Sequence, residues 1–156
     1  MKIANLLNVH TVRPMIAGSS KTEILQAVID LAAKNDRVLD AGKMGAVIFE
    51  REKIMSTGVG SGFAIPHGKT DAVSDVVGAF ATTAEPIEYQ SLDGQPVRLV
   101  FLLVGRENMV GPHIKLLARI SRMMNKEEFR NKLLEAETPE AIIETFREEE
   151  ATYAEG

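Results

Sequence analysis

The sequence predicts a single α/β domain: a mixed β-sheet flanked by helices on both faces. Three observations lead there. Helical apolar repeats occupy the first third, two β-type segments the middle, and capped helical segments the rest. The second β-type segment, Val97 to Val104, is apolar at nearly every position, as expected for a strand covered on both faces. Helices before and after the strands supply the two covers. At 156 residues the chain reads as one domain, 1–156, long enough to bury a core without staples.

Each element has its own warrant. Ser20-Lys-Thr-Glu23 is a capping box, and Ile24, Leu25, Val28, Ile29, Leu31 and Ala32 behind it recur at helical spacing, predicting a helix over 21–34. Asp40 can cap a second helix running to about Met55, although Gly42 and Gly45 weaken its first turns. Val76 to Thr82 and Val97 to Val104 read as strands, with Leu92-Asp-Gly-Gln95 as a turn and Ile87-Glu-Tyr89 as a short edge strand between them. Gly111-Pro112-His113 opens a helix with proline at its first position. Asn125-Lys-Glu-Glu128, a capping-box pattern, and Thr138-Pro-Glu-Ala141 open two more. Residues 147–156 are acidic and read as a frayed tail.

Composition excludes several functions. Without cysteine there is no disulfide, thiolate nucleophile or zinc ribbon. The longest apolar run, Leu99 to Val104, is too short to cross a bilayer, so no membrane insertion is expected. The first twelve residues lack the pattern of a signal peptide, which makes a cytoplasmic location the default. A formal net charge of −4 gives no electrostatic reason to expect nucleic acid.

The chemistry concentrates in Gly58-Val-Gly-Ser-Gly62-Phe-Ala-Ile-Pro66-His67-Gly68-Lys69. Histidine titrates nearest neutrality, so a ring nitrogen of His67 is free to act as a nucleophile at cellular pH. Pro66 fixes its own φ and biases Ile65 toward extended backbone, so His67 leaves a short strand with little freedom. Gly60, Gly62 and Gly68 allow close approach to the backbone and leave amides available to an anion. The Gly58-x-Gly-x-Gly62 run is a dinucleotide fingerprint only superficially, because it follows a helix and leads to proline.

Arg51 shares a helical face with Met44, Val47, Ile48 and Met55. A guanidinium stays charged, so a partly buried one needs an anionic partner; a structural ion pair or a snorkelling stem is the alternative. The helix ends just before the glycine run, which brings Arg51 toward His67. His113 falls at the second position of its predicted helix, where an anion is favoured and a proton on the ring is disfavoured. An exposed first-turn histidine is the plain alternative. His10 lies in an irregular segment and takes no role. Two neutral imidazoles, a guanidinium, glycine amides and a helix N-terminus suit a phosphoryl group. No nucleotide loop is present, so the donor is expected to be another protein. His67, His113 and Asp71 are permitted metal ligands, but there is no HExxH helix or tight histidine cluster, and no metal or other cofactor is expected. Lys115, Arg119 and Arg122 form a basic helix stripe, read as a solvated face with docking as the lesser possibility.

Together these residues resemble a known family. Arg51-Glu-Lys through Ser56-Thr-Gly to Ala64-Ile-Pro-His67-Gly-Lys looks like the active-site signature of phosphotransferase-system enzyme IIA domains of the fructose/mannitol type. Leu92-Asp-Gly-Gln-Pro-Val, Leu99-Val-Phe-Leu-Leu and His113-Ile-Lys-Leu-Leu also match, so the resemblance covers nearly the whole chain. It implies that His67 is the phosphorylated histidine, with phosphate arriving from the carrier HPr or its nitrogen-branch counterpart. It also implies that His113 is the second active-site histidine and Arg51 the phosphate-stabilising arginine. Ser61 and Phe63 stand where many members carry asparagine and an aliphatic residue. The Arg-Glu-Lys-x-x-Ser-Thr-Gly wording is similar to the nitrogen-regulatory members, whose output is binding to regulated target proteins. A relay to a sugar-specific IIB component is the second reading, and a non-catalytic anion sensor a more distant one.

Overall fold

The computed structural model describes residues 1–153. A 3₁₀ turn at Ile3–Leu6 precedes β1 (Val12–Ile16), α1 (Lys21–Ala32) and α2 (Ala41–Ile54). Three short strands follow, β2 (Gly58–Gly60), β3 (Phe63–Ala64) and β4 (His67–Lys69), then the long pair β5 (Val77–Ile87) and β6 (Val97–Gly105). The chain closes with α3 (Val110–Met124), α4 (Glu127–Glu135) and α5 (Pro139–Glu150).

One mixed sheet results, in the order β1-β5-β6-β3-β2, with β4 also on β6. β5 and β6 are antiparallel, whereas β1 runs parallel to β5 and both β3 and β4 run parallel to β6. β6 organises the layers because its side chains alternate between two cores. Val100, Leu102 and Val104 join Ile24, Val28, Met44 and Ile48 from α1 and α2. Leu99, Phe101 and Leu103 join Leu116, Ile120, Phe129 and Phe146 from α3, α4 and α5. The helices therefore cover both faces, as predicted. In the second core Phe146 meets Phe80, Phe101 and Phe129 edge-on at 5.2–5.7 Å between centroids, and such pairs contribute about 0.5–1.5 kcal/mol each beyond burial.

Several boundaries move, each for a local reason. The Ser20 hydroxyl accepts from the Glu23 amide, but the Glu23 carboxylate turns to Ser19, so only half of the capping box forms. Asp40 and Thr138 cap α2 and α5 as expected. Asn125 does not open α4; it ends α3, its amide bonded back to Ser121. α3 begins earlier than expected, so Pro112 and His113 occupy its third and fourth positions, and the His113 amide already bonds the Met109 carbonyl. Ile87 is the end of β5 rather than an edge strand, and Tyr89 beyond it is fully buried. Residues 147–150, expected in a frayed tail, complete α5: the buried Glu150 carboxylate accepts the Ile3 and Ala4 amides at 2.6 and 2.7 Å. The last three residues of the expected tail, 154–156, lie outside the described residues.

Candidate active site

His67 is the first residue of β4, and its position is set by the two residues before it. β3 and β4 line the same edge of β6, pairing Phe63–Ala64 with Leu99–Val100 and His67–Lys69 with Leu103–Gly105. Between them Pro66 has no N–H to give the ladder, while its carbonyl still accepts from the Leu103 amide at 3.0 Å. Ile65 is anchored by its amide to the Thr57 carbonyl, also at 3.0 Å. Its own carbonyl lies 2.8 Å from His67 Nδ1. A carbonyl only accepts, so Nδ1 carries the proton and Nε2 carries the lone pair. Burial holds the His67 pKa below its ordinary value; the Ile65 bond opposes this, the Arg51 charge adds to it and Glu52 counters it.

His113 reaches the same place from the first turns of α3. Its ring lies 5.8 Å from that of His67, centroid to centroid, with the planes tilted by 50°. The side chain is 6% exposed, and neither ring nitrogen has a hydrogen-bond partner. Burial, then the His67 and Lys69 charges, lower its pKa to about 4. The ring is therefore neutral at cellular pH, with one nitrogen a donor and the other an acceptor.

Arg51 comes from the last turn of α2. One of its guanidinium nitrogens donates to the Met55 carbonyl at 3.0 Å, and it pairs with no carboxylate among the described residues. The structural ion pair, the alternative reading for Arg51, forms at its neighbour instead. The inward stripe of α2 is Met44, Ile48 and Glu52, with Met55 exposed outside the helix. Glu52 is a buried carboxylate with a full set of donors: the Thr57 amide at 2.7 Å, the Thr57 hydroxyl at 2.5 Å and Lys21 at 2.9 Å. Tyr89 closes the group, its hydroxyl 3.4 Å from Glu52 and its ring beneath the Lys21 ammonium. This cluster ties the end of α2 to the start of the glycine hairpin. The sequence does not single it out: the Met44-Ile48-Glu52 spacing fits an inward stripe, but so does Arg51 beside it.

The structure thus brings His67, His113 and Arg51 to one site and leaves His10 exposed in a turn. The glycines have a visible backbone role. Gly60 and Gly62 take positive φ, 119° and 81°, in the β2–β3 hairpin, where Asp93 holds the Ser61 amide at 3.0 Å. A Cβ on Gly68 would come within 2.8 Å of Val47, so glycine lets β4 sit against α2. Asp71, a permitted metal ligand by residue type, pairs with Lys43 rather than with an imidazole. Lys115 and Arg119 line a pocket beside His113, and Arg122 packs over the Tyr153 ring.

An α/β sheet that brings a tautomer-fixed histidine, a second neutral histidine and an arginine without a carboxylate partner among the described residues to one place offers the groups that phosphoryl transfer uses. The match over residues 5–149 to the phosphoenolpyruvate-dependent sugar phosphotransferase system EIIA 2 family places the chain in that family. It is 36% identical to a nitrogen regulatory protein of Bradyrhizobium diazoefficiens, over 99% of this chain and 100% of that one. It is also 36% identical to the fructose-specific EIIABC component of Bacillus subtilis, covering 95% of this chain but only 23% of that longer protein. The crystal structure of the nitrogen regulatory protein IIA-Ntr from Neisseria meningitidis superimposes with a TM-score of 0.86 at 29% identity, over 92% of this chain and 98% of that one. Among the described residues no helix is long and apolar enough to cross a membrane.

Proposed function

We propose that this chain is a phosphocarrier of the nitrogen-regulatory IIA type, accepting a phosphoryl group on Nε2 of His67. The observation that carries the reading is the Nδ1 contact with the Ile65 carbonyl, which leaves Nε2 as the nucleophilic nitrogen. The donor is a phosphohistidine on HPr or its nitrogen-branch counterpart, met in the cytoplasm. The Nε2 lone pair forms the new P–N bond while the donor's P–N bond breaks, its electron pair returning to the donor ring. The Nδ1 proton stays against Ile65 throughout. Charge on the three equatorial oxygens is met by Arg51 and by an N–H of His113. The amides around Gly60, Gly62 and Gly68 lend further support to the loop. The phosphorylated form then regulates target proteins by binding them differently from the free form.

Full-length similarity to nitrogen regulatory proteins favours this output. Equal identity to the IIA portion of a fructose-specific component supports a second reading, a relay that passes phosphate to a IIB component. The test incubates the protein with phosphoenolpyruvate, enzyme I and HPr or its counterpart, and follows acid-labile, alkali-stable label. The expected result is stoichiometric label on wild type and none on His67→Ala. Label retained by a folded His67→Ala would overturn the assignment. Discharge to a IIB component added afterwards would favour the relay.

A further inference from the structure

The N-terminal end of α3 covers a cavity that His113 lines and His67 does not. It holds about 330 Å³ and opens between the start of β5, the end of β6 and α3. Its position follows from the sheet. Gly105 pairs with Lys69 on the β4 side of β6, and its neighbour Val104 pairs with Val77 on the β5 side. The His113 ring packs directly over Gly105, where an added Cβ would come within 3.0 Å of Nδ1. His113 therefore borders both, its ring 5.8 Å from that of His67 and part of the cavity lining.

The cavity lining is unbalanced in charge. Arg106, Lys115 and Arg119 face a single carboxylate, Asp75, and none of the three cations forms an ion pair among the described residues. Arg106 and Arg119 each spend one guanidinium nitrogen on a backbone carbonyl, of Val73 and Met1, leaving other donors uncommitted. Leu116 and Met109 supply apolar wall. At the inner end lies His113, buried, with both ring nitrogens unpartnered. A phosphoryl group on His67 can occupy only one of these nitrogens, and an orphaned buried polar atom is costly.

We propose that this cavity is a binding site for a small organic anion, a carboxylate or phosphate head on an apolar body. The head is held by Lys115, Arg119 and Arg106 with a hydrogen bond to His113, and the body lies against Leu116 and Met109. The volume suits a ligand of metabolite size. The stripe that reads in the sequence as a solvated helix face thereby gains a ligand. Because His113 also borders His67, occupancy alters phosphoryl acceptance; that consequence rests on the phosphocarrier reading, whereas binding itself does not.

Phenyl phosphate is the probe, titrated into unphosphorylated, ¹⁵N-labelled full-length protein, with phenol as the neutral control. The expected result is saturable movement of the Gly105 and Leu116 amides and of the His113 ring, with no movement from phenol. Lys115→Glu and the double variant K115Q/R119Q should weaken binding by about tenfold or more, as for lost charge-assisted contacts. Absence of saturable movement would overturn the site. So would movement centred on His67 and Gly68, which would place the anion in the phosphoryl site, or affinity unchanged in both variants. In a second arm, saturating phenyl phosphate should change the rate of phosphoryl acceptance from HPr at least twofold in wild type and not in K115Q/R119Q. An equal rate with and without probe would refute the coupling. A ligand-free protein that accepts no phosphate at all would instead refute the phosphocarrier reading, leaving the binding result to stand.

Discussion

His67 and His113 stand 5.8 Å apart, ring centre to ring centre, without a hydrogen bond between them. The first ring is fixed by the Ile65 carbonyl and the second has no polar partner, so the pair is asymmetric. In the proposed reaction that asymmetry divides the chemistry between them: one ring presents a defined lone pair, the other an uncommitted donor.

The asymmetry sets the behaviour of a His113→Ala variant. It should still accept phosphate on His67, because the Nδ1 anchor to Ile65 is untouched. Discharge to an acceptor, or the lifetime of the phosphohistidine, should change. Single-turnover measurements of acceptance, discharge and hydrolysis check this; all three unchanged would reduce His113 to a packing residue.

Arg51→Lys tests the guanidinium. The charge remains but the planar fork is lost, and a bidentate contact made mainly in the transition state is worth about 1.5–3 kcal/mol. Acceptance should slow about ten- to a hundredfold. A wild-type rate would limit Arg51 to its bond with the Met55 carbonyl.

Acid should destabilise the fold through His113. Its pKa falls from 6.5 unfolded to about 4 folded, so the folded state prefers the neutral ring. That stability is fully present above the unfolded value and is lost as pH falls from 6.5 toward 4. The depressed His67 pKa acts in the same direction. Urea unfolding between pH 7 and pH 4 should therefore show a smaller loss in His113→Gln than in wild type. Parallel curves would contradict the burial cost.

Glu52 is predicted to carry the hairpin. Glu52→Gln replaces a carboxylate that accepts three donors with a group that must itself donate beside Lys21 and Thr57. The expected cost is about 2–4 kcal/mol of stability, with phosphoryl acceptance slowed as Arg51 and the Thr57–Gly58 backbone lose their anchor. Unfolding curves and the acceptance rate check both parts, and an unchanged midpoint would show the cluster to be dispensable.

The helices and the two long strands are legible in the sequence because periodicity and caps are local signals. β1 was not, since Pro14 in Val12–Ile16 argues against a strand; the structure admits it at the sheet edge, where a missing donor is tolerated. The sequence reads a short strand leading into His67 but not its division into β2, β3 and β4, because β3 and β4 exist only by pairing with β6, far along the chain, and β2 only by folding back on β3. His67 stands out through its proline and glycine neighbours. Glu52 does not, because Arg51 and Glu52 are adjacent and helical spacing alone cannot say which of them turns inward. The tautomer of His67 and the depth of His113 depend on tertiary contacts, and only the structure supplies them.

The central claim is that Nε2 of His67 is the phosphoryl acceptor, and ¹⁵N–³¹P NMR of the phosphorylated, ¹⁵N-labelled protein tests it most directly. The account predicts a single phosphohistidine at His67, with phosphorus coupled to Nε2 and the proton retained on Nδ1 beside Ile65. Coupling to Nδ1, or phosphate on His113 or any other residue, would contradict it.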